Sequence, residues 1–163
     1  MVENANLTPA PSDAAGLNKF VEVIKNMCGV DLESKKDMIK QRLINFCQAN
    51  EIPSFEALSS KVVVDRLMRQ EIVNLITTNE TYFYRELPQL QAAIYYAREE
   101  LDSVRILCAP CSTGDEAYSL GMLAHSNLLD VNRVSIVGID INSEAIDSCK
   151  KGVYNERSLH RLN

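Results

Sequence analysis

Apolar positions three and four residues apart mark the first ordered stretch of the chain. Phe20, Val23, Ile24 and Met27 share one helical face, and Gly29 stands where a helix stop belongs. Before it, residues 1–16 carry Ala, Asn and Pro without an apolar period and read as a flexible arm. A second helix is predicted over residues 34–50, with Ile39, Leu43, Phe46 and Cys47 on one stripe. Glu33 and Asp37 lie near its start, where the helix dipole favours acids. Pro53 breaks the chain, and Ser54 is placed to cap a short helix over residues 55–58. A longer helix follows from about residue 65, with Leu67, Met68, Ile72, Leu75 and Ile76 at helical spacing. Four helices joined by short loops make a small helical domain.

The period is then lost. TTNETYFYRE, residues 77–86, is polar and aromatic with neither helical nor strand alternation. Pro88 suits the first turn of another helix whose apolar side is Leu90, Ile94, Ala97 and Leu101. VRILCA (104–109) and VSIVGI (134–139) read as short buried strands, and the stretch between them begins with turn residues and continues as a helix. A strand, crossover helix, strand unit makes the two strands parallel. After Asp140 a last helix opens at Asn142 or Ser143, with Glu144 in its first turn, Lys150 and Lys151 in its last and Gly152 beyond. Two parallel strands cannot cover both their faces, so the expectation is an incomplete doubly wound domain, with Ile136 and Val137 left exposed.

Bulk numbers narrow the function. The 163 residues are 46% hydrophobic and 24% charged, which suits a folded globular protein. With 17 basic against 22 acidic residues, net charge −5, no overall positive field attracts nucleic acid or an anionic membrane. No apolar run approaches the roughly 20 residues of a membrane span. The start lacks the basic-then-apolar pattern of a secretory signal, so a cytoplasmic protein is expected. Five cysteines, an odd count, are expected to be reduced thiols. Cys108 and Cys111 form a lone C-x-x-C; zinc would need a second ligand pair, and His125 and His160 stand in no ligand spacing to it, so no metal is expected. A redox role stays open for that pair, because it follows a strand and opens a helix.

Two segments carry chemistry. In APCSTGDE (109–116) small residues between a strand end and a helix start let the backbone approach a ligand, with Gly114 the residue whose missing Cβ matters most. One glycine is not the G-x-G-x-x-G fingerprint, and a plain tight turn remains an alternative. Asp140 closes the second strand, where an acid accepts hydrogen bonds from ribose hydroxyls in Rossmann-like folds, or serves as a helix cap. Asp115 and Glu116 disfavour a pyrophosphate and favour a cationic ligand such as a sulfonium or an amino group. In TNETYFYR, Asn79, Thr81 and Arg85 supply an amide, a hydroxyl and a guanidinium among aromatic rings. By itself that stretch is equally a loop packed by aromatics.

TTNETYFYRE closely resembles the threonine-asparagine-x-threonine-x-phenylalanine-phenylalanine-arginine signature of the chemotaxis receptor methyltransferases, the CheR family. APCSTGDEAYSLGM resembles their cysteine-serine-threonine-glycine-glutamate-glutamate cofactor turn, and GIDINSEAIDSCKKGVY is similar to the segment that follows. The resemblance implies an α plus α/β protein: a helical N-terminal domain over residues 17–86, then the first half (βαβα) of a Rossmann-like S-adenosylmethionine-binding domain over residues 87–163. It also implies transfer of the cofactor's methyl to glutamate carboxylates of chemotaxis receptors, leaving S-adenosylhomocysteine. On this resemblance Asn79, Thr81 and Arg85 line the cofactor and transfer site, Gly114 and Glu116 meet the cofactor, and Asp140 holds the ribose. Arg85 is the residue expected to orient the acceptor carboxylate or the cofactor. Tyr84, Asp115 and Ala117 depart from the commonest family pattern but keep ring, charge and small size.

The second helix carries Lys35, Lys36, Lys40 and Arg42 in an otherwise acidic chain. The family's helical domain is associated with receptor recognition, so Lys36, Lys40 and Arg42 are expected to meet the acidic receptor; a solvated helix surface is the plain alternative. Two rival functions stand beside the enzyme reading: a receptor-docking module without catalysis and, more remotely, a nicotinamide dehydrogenase, whose further glycines the turn lacks.

Overall fold

A computed structural model describes residues 14–100, 102–127 and 129–162. Contacts divide the chain into two compact units, one up to Ile76 and one from Thr77 onward. The division falls ten residues before the expected end of the helical domain, so TTNETYFYRE belongs to the second unit.

The first unit holds α1 (Ala14–Cys28), α2 (Lys36–Ala49), α3 (Phe55–Val64) and α4 (Arg66–Ile76), with a 3-10 turn at Glu33–Lys35. Phe20, Ile24, Leu32, Leu43, Leu58 and Ile72 are fully buried between these helices. The helix begins earlier than the apolar period shows: residues 14–16, expected in the arm, are already helical, and Gly16 is buried. Residues 1–13 of that arm lie outside the described residues. Gly29 ends α1 in the left-handed region (φ 75°), its N–H donating to the Lys25 carbonyl at 2.9 Å.

α3 runs to Val64 rather than stopping at residue 58. Ser59 and Ser60 hide it from a reading of apolar spacing. Their hydroxyls donate to the carbonyls of Phe55 and Glu56, four residues back, so polar residues sit within the helix without competing with it. Asp65 then adopts an extended conformation (φ −96°, ψ 110°), and its Oδ1 accepts from the Leu67 and Met68 amides, opening α4.

The second unit comprises α5 (Leu87–Glu100), β1 (Val104–Cys108), α6 (Asp115–Ser126), β2 (Val134–Gly138), α7 (Ser143–Lys151) and α8 (Glu156–Leu159). The strands are parallel, from Val104 opposite Val134 to Cys108 opposite Gly138. Leu90 and Ile94 of α5, Leu120 and Leu123 of α6 and Cys108 form the core on one face, with Ile106 and Ile136 packed against it. Leu101, expected on the apolar side of α5, lies outside the described residues. Asn142 caps α7 through Oδ1, which accepts the Ala145 amide at 2.9 Å, and Gly152 closes it in the left-handed region.

The other face of the sheet is open. Leu107 and Val137, opposite one another in the register, are 61% and 51% exposed, whereas Ile136, expected to be exposed with Val137, is half-buried on the core face. An uncovered apolar sheet face favours association. Replacing Leu107 with Lys and Val137 with Glu should keep the melting transition and lower self-association in light scattering. Unchanged scattering would show that this face is not the one that associates.

Candidate functional site

After β1 the chain makes a tight turn over residues 109–114, which includes a cis Ala109–Pro110 peptide. Two of its residues have positive φ, Ser112 (48°) and Gly114 (89°). The turn closes on itself through the Gly114 amide, which donates to the Cys111 carbonyl at 2.9 Å. A Cβ on Gly114 would stand 2.3 Å from Cys149 Sγ, so glycine is required here by packing on α7 as well as by conformation.

The end of β2 is stitched to this turn. Ile139 donates to the Cys108 carbonyl at 3.0 Å and accepts from the Cys111 amide at 2.9 Å. Asp140 accepts the Ser112 amide through Oδ2 and the Asn142 amide through Oδ1, both at 2.8 Å. The carboxylate thus holds the strained Ser112 and shapes the approach to α7. Each oxygen retains a lone pair for a further donor.

α6 starts on two acids, at the end where the helix dipole favours negative charge. Asp115 is fully buried, and its Oδ2 accepts the Thr113 hydroxyl at 2.5 Å. Asp115 Oδ1 and Ser112 Oγ are buried without a hydrogen-bond partner, two orphaned polar atoms in one turn. Glu116 is exposed. Burial, with the Glu116 charge second, pushes the Cys108 thiol up to about 12, and burial raises Cys111 as well. Both therefore stay thiols at neutral pH. A redox C-x-x-C needs a lowered pKa, and the burial of both thiols works against it. Among the described residues no group of three His, Cys, Asp or Glu side chains is gathered to hold a metal.

The loop of residues 77–86 is fastened at separated points. Asn142 Nδ2 donates to Thr77 Oγ1 at 2.7 Å. The Phe83 amide donates to the Ser158 carbonyl at 3.0 Å, and the Tyr84 amide to Ser119 Oγ, also at 3.0 Å. Ser119 in turn donates to the Asp115 carbonyl at 2.6 Å, tying the loop to the first turn of α6. The buried Phe83 ring meets Tyr154 edge-on at 4.7 Å, and the Tyr154 hydroxyl donates to the Thr113 carbonyl at 2.6 Å. Tyr84 and Glu86 carry positive φ (58° and 53°), so Arg85 sits between two strained residues, the first of them held by its bond to Ser119.

A cavity of about 580 Å³ lies between this loop and the segment around α8; Asn79 and Thr81 line it together with Thr113 of the glycine turn, Arg157 and His160. That size is within the range of about 300–1,000 Å³ typical of small-ligand sites. Two of the residues singled out from sequence are therefore brought together with the turn. Arg85 is not on the cavity wall: its Nη1 donates to the Glu80 carbonyl at 2.8 Å, bracing the loop from within. Sequence reasoning missed Ser119, Tyr154 and α8. Asn155 did carry a legible signal, a cap residue followed by an acid, and its Oδ1 accepts the Ser158 amide.

In the first unit Lys36 is tied down, paired with Glu33 at 2.5 Å and donating to Asn18 at 2.8 Å. Lys40 and Arg42 are exposed, but a two-residue step turns about 200° around a helix, so they flank the buried stripe on different sides. The basic residues of α2 do not make one continuous face.

A parallel strand, glycine turn, helix and strand, with an acid closing the second strand, is the cofactor-binding half of a Rossmann-like domain. Residues 15–77 match the family model for the CheR methyltransferase all-alpha domain, and residues 79–163 that for the CheR methyltransferase SAM binding domain. The chain belongs to the CheR methyltransferase family. It is 42% identical over 146 residues to a chemotaxis protein methyltransferase of Campylobacter jejuni (strain 81-176), covering 90% of this chain and 55% of that protein. It is 28% identical to chemotaxis protein methyltransferase 2 of Vibrio cholerae, over 88% of this chain and 54% of that protein. With the chemotaxis protein methyltransferase of Escherichia coli K12 it shares 26% identity, over 91% and 53%. The chain spans about half the length of these relatives.

Proposed function

We propose that this chain serves S-adenosylmethionine-dependent methylation of glutamate side chains on chemotaxis receptors in the cytoplasm, with S-adenosylhomocysteine as the product. The observation that carries the reading is the fastening of the loop of residues 77–86 to Ser119, Ser158 and Asn142, with Asn79 and Thr81 lining one cavity together with Thr113 of the glycine turn.

The residues suit the cofactor. Asp140 places a carboxylate just beyond the end of β2 and Glu116 one in the first turn of α6, fitting a ribose diol and an amino group or sulfonium, and the orphaned Ser112 hydroxyl and Asp115 oxygen offer further acceptors. Gly114 keeps the turn backbone free of a side chain. When bound, the cofactor supplies an electrophilic methyl. A glutamate carboxylate, pKa about 4.3, is already ionised at neutral pH and needs no general base. The task left to the protein is to align the acceptor and strip water from it, which positioning makes worth several kcal/mol. Asn79 and Thr81 do this from the cavity wall. Arg85 acts as a positioning residue that fixes their loop through Glu80. Lys40 and Arg42 remain the exposed cations of α2 that fit an acidic receptor helix; Lys36, already paired, contributes less.

Labelled methyl transfer to receptor, set beside receptor pull-down, tests the proposal: pull-down without transfer would make the chain a docking module. Arg85→Lys is expected to lower transfer about tenfold or more while shifting the melting temperature little, since lysine keeps the charge but loses the planar fork. Wild-type turnover in that variant would return Arg85 to an ordinary surface residue.

A further inference from the structure

The Tyr82 ring gathers cations from two separate stretches of chain. The Arg85 guanidinium lies 6.0 Å from the ring centre and that of Arg161 5.6 Å, both within cation–π reach, and the His160 ring sits at 4.7 Å. His160 Nδ1 is 2.7 Å from the Arg157 carbonyl, an oxygen that only accepts, so Nδ1 carries a proton and Nε2 is left for an outside partner. Arg157 and His160 line the 580 Å³ cavity together with Asn79 and Thr81. Glu80 is the acid on its wall. Among the described residues no ion pair engages Arg85, Arg157 or Arg161. In a chain of net charge −5, Arg157 on the cavity wall and Arg161 over Tyr82 carry positive charge that no ion pair among the described residues engages.

We propose that Arg157 and Arg161, the latter over the Tyr82 ring with His160 beside it, form a specificity site for an acidic peptide, binding carboxylates that flank the accepting glutamate. The inference rests on the methyltransferase reading and deepens it by assigning the acceptor side of the cavity. One carboxylate leaves most of the cavity unfilled, and two arginines exceed what one carboxylate neutralises. Arginine forks on an aromatic surface match carboxylates held along a peptide. Such contacts set partner choice and weaken with salt.

The test uses the 163-residue chain. S-adenosylhomocysteine binding is measured by calorimetry, and anisotropy follows a labelled glutamate-rich peptide and its glutamine counterpart. In Arg157→Ala/Arg161→Ala, affinity for the acidic peptide should fall about tenfold or more, with Arg157→Lys intermediate, while S-adenosylhomocysteine affinity stays within about twofold. The glutamine peptide should bind no form appreciably. Unchanged acidic-peptide affinity in the double variant, or no peptide binding to a wild-type chain that binds S-adenosylhomocysteine, overturns the specificity site and leaves the methyltransferase reading standing. Parallel loss of both ligands assigns the arginines to the cofactor and also overturns it. A wild-type chain that binds the peptide but not S-adenosylhomocysteine overturns the methyltransferase reading instead.

Discussion

Gly114→Ala is expected to destabilise the second unit by about 2–4 kcal/mol, the sum of left-handed backbone strain for a residue with a Cβ and overpacking. Gly114 has φ 89°, and the added methyl would lie 2.3 Å from Cys149 Sγ and 3.2 Å from Cys149 Cβ. α7 must shift, or the turn must open. Either movement disturbs Asp140, which bonds the same turn at Ser112, and so reaches the proposed ribose site. Cys149→Ala removes the nearer atom of the clash and should recover part of the loss, whereas the backbone strain should persist. A double-mutant cycle by chemical denaturation measures the split, with a coupling of about 1–2 kcal/mol expected. Full additivity would show that the methyl never meets Cys149, and that φ alone dictates glycine.

The helices of the first unit were legible because burial writes a three-and-four period, as at Phe20, Ile24, Leu43 and Ile72. Where polar residues bond back to their own helix the period fades, and Ser59 and Ser60 concealed the second half of α3. In the site, Asn142 and Gly152 showed themselves by local capping chemistry. Ser119 did not, since its role depends on Tyr84, 35 residues away. Tyr154 bonds Thr113 across 41 positions, and no periodicity announces such a pairing. Arg85 was legible as a residue of note but not in its direction, because a guanidinium among aromatics serves equally to grip a ligand or to brace its own loop. The bond from its Nη1 to the Glu80 carbonyl supports the bracing role.

Asp140→Ala should lower both stability and cofactor affinity, and the comparison of the two tells whether the acid holds a ligand or only its own turn. The carboxylate accepts two backbone amides, from Ser112 and Asn142, each at 2.8 Å. Deleting it frees Ser112 to leave φ 48° and loosens the entry to α7, at a cost of about 2–3 kcal/mol, moderated because the side chain is half-exposed. The ribose assignment adds a separate loss of roughly 1.5–3 kcal/mol in binding S-adenosylhomocysteine. Asp140→Asn separates the two. Its amide oxygen still accepts one N–H, so part of the turn survives, but the charge that a diol would meet is gone. The expected order is therefore a smaller stability loss for Asn than for Ala, with comparable loss of affinity in both. Calorimetry well below each melting temperature, on samples checked for folding by circular dichroism, reads the binding. If both variants bind S-adenosylhomocysteine as the unmodified chain does, Asp140 is a stitch between β2 and the glycine turn, and the ribose must be held elsewhere.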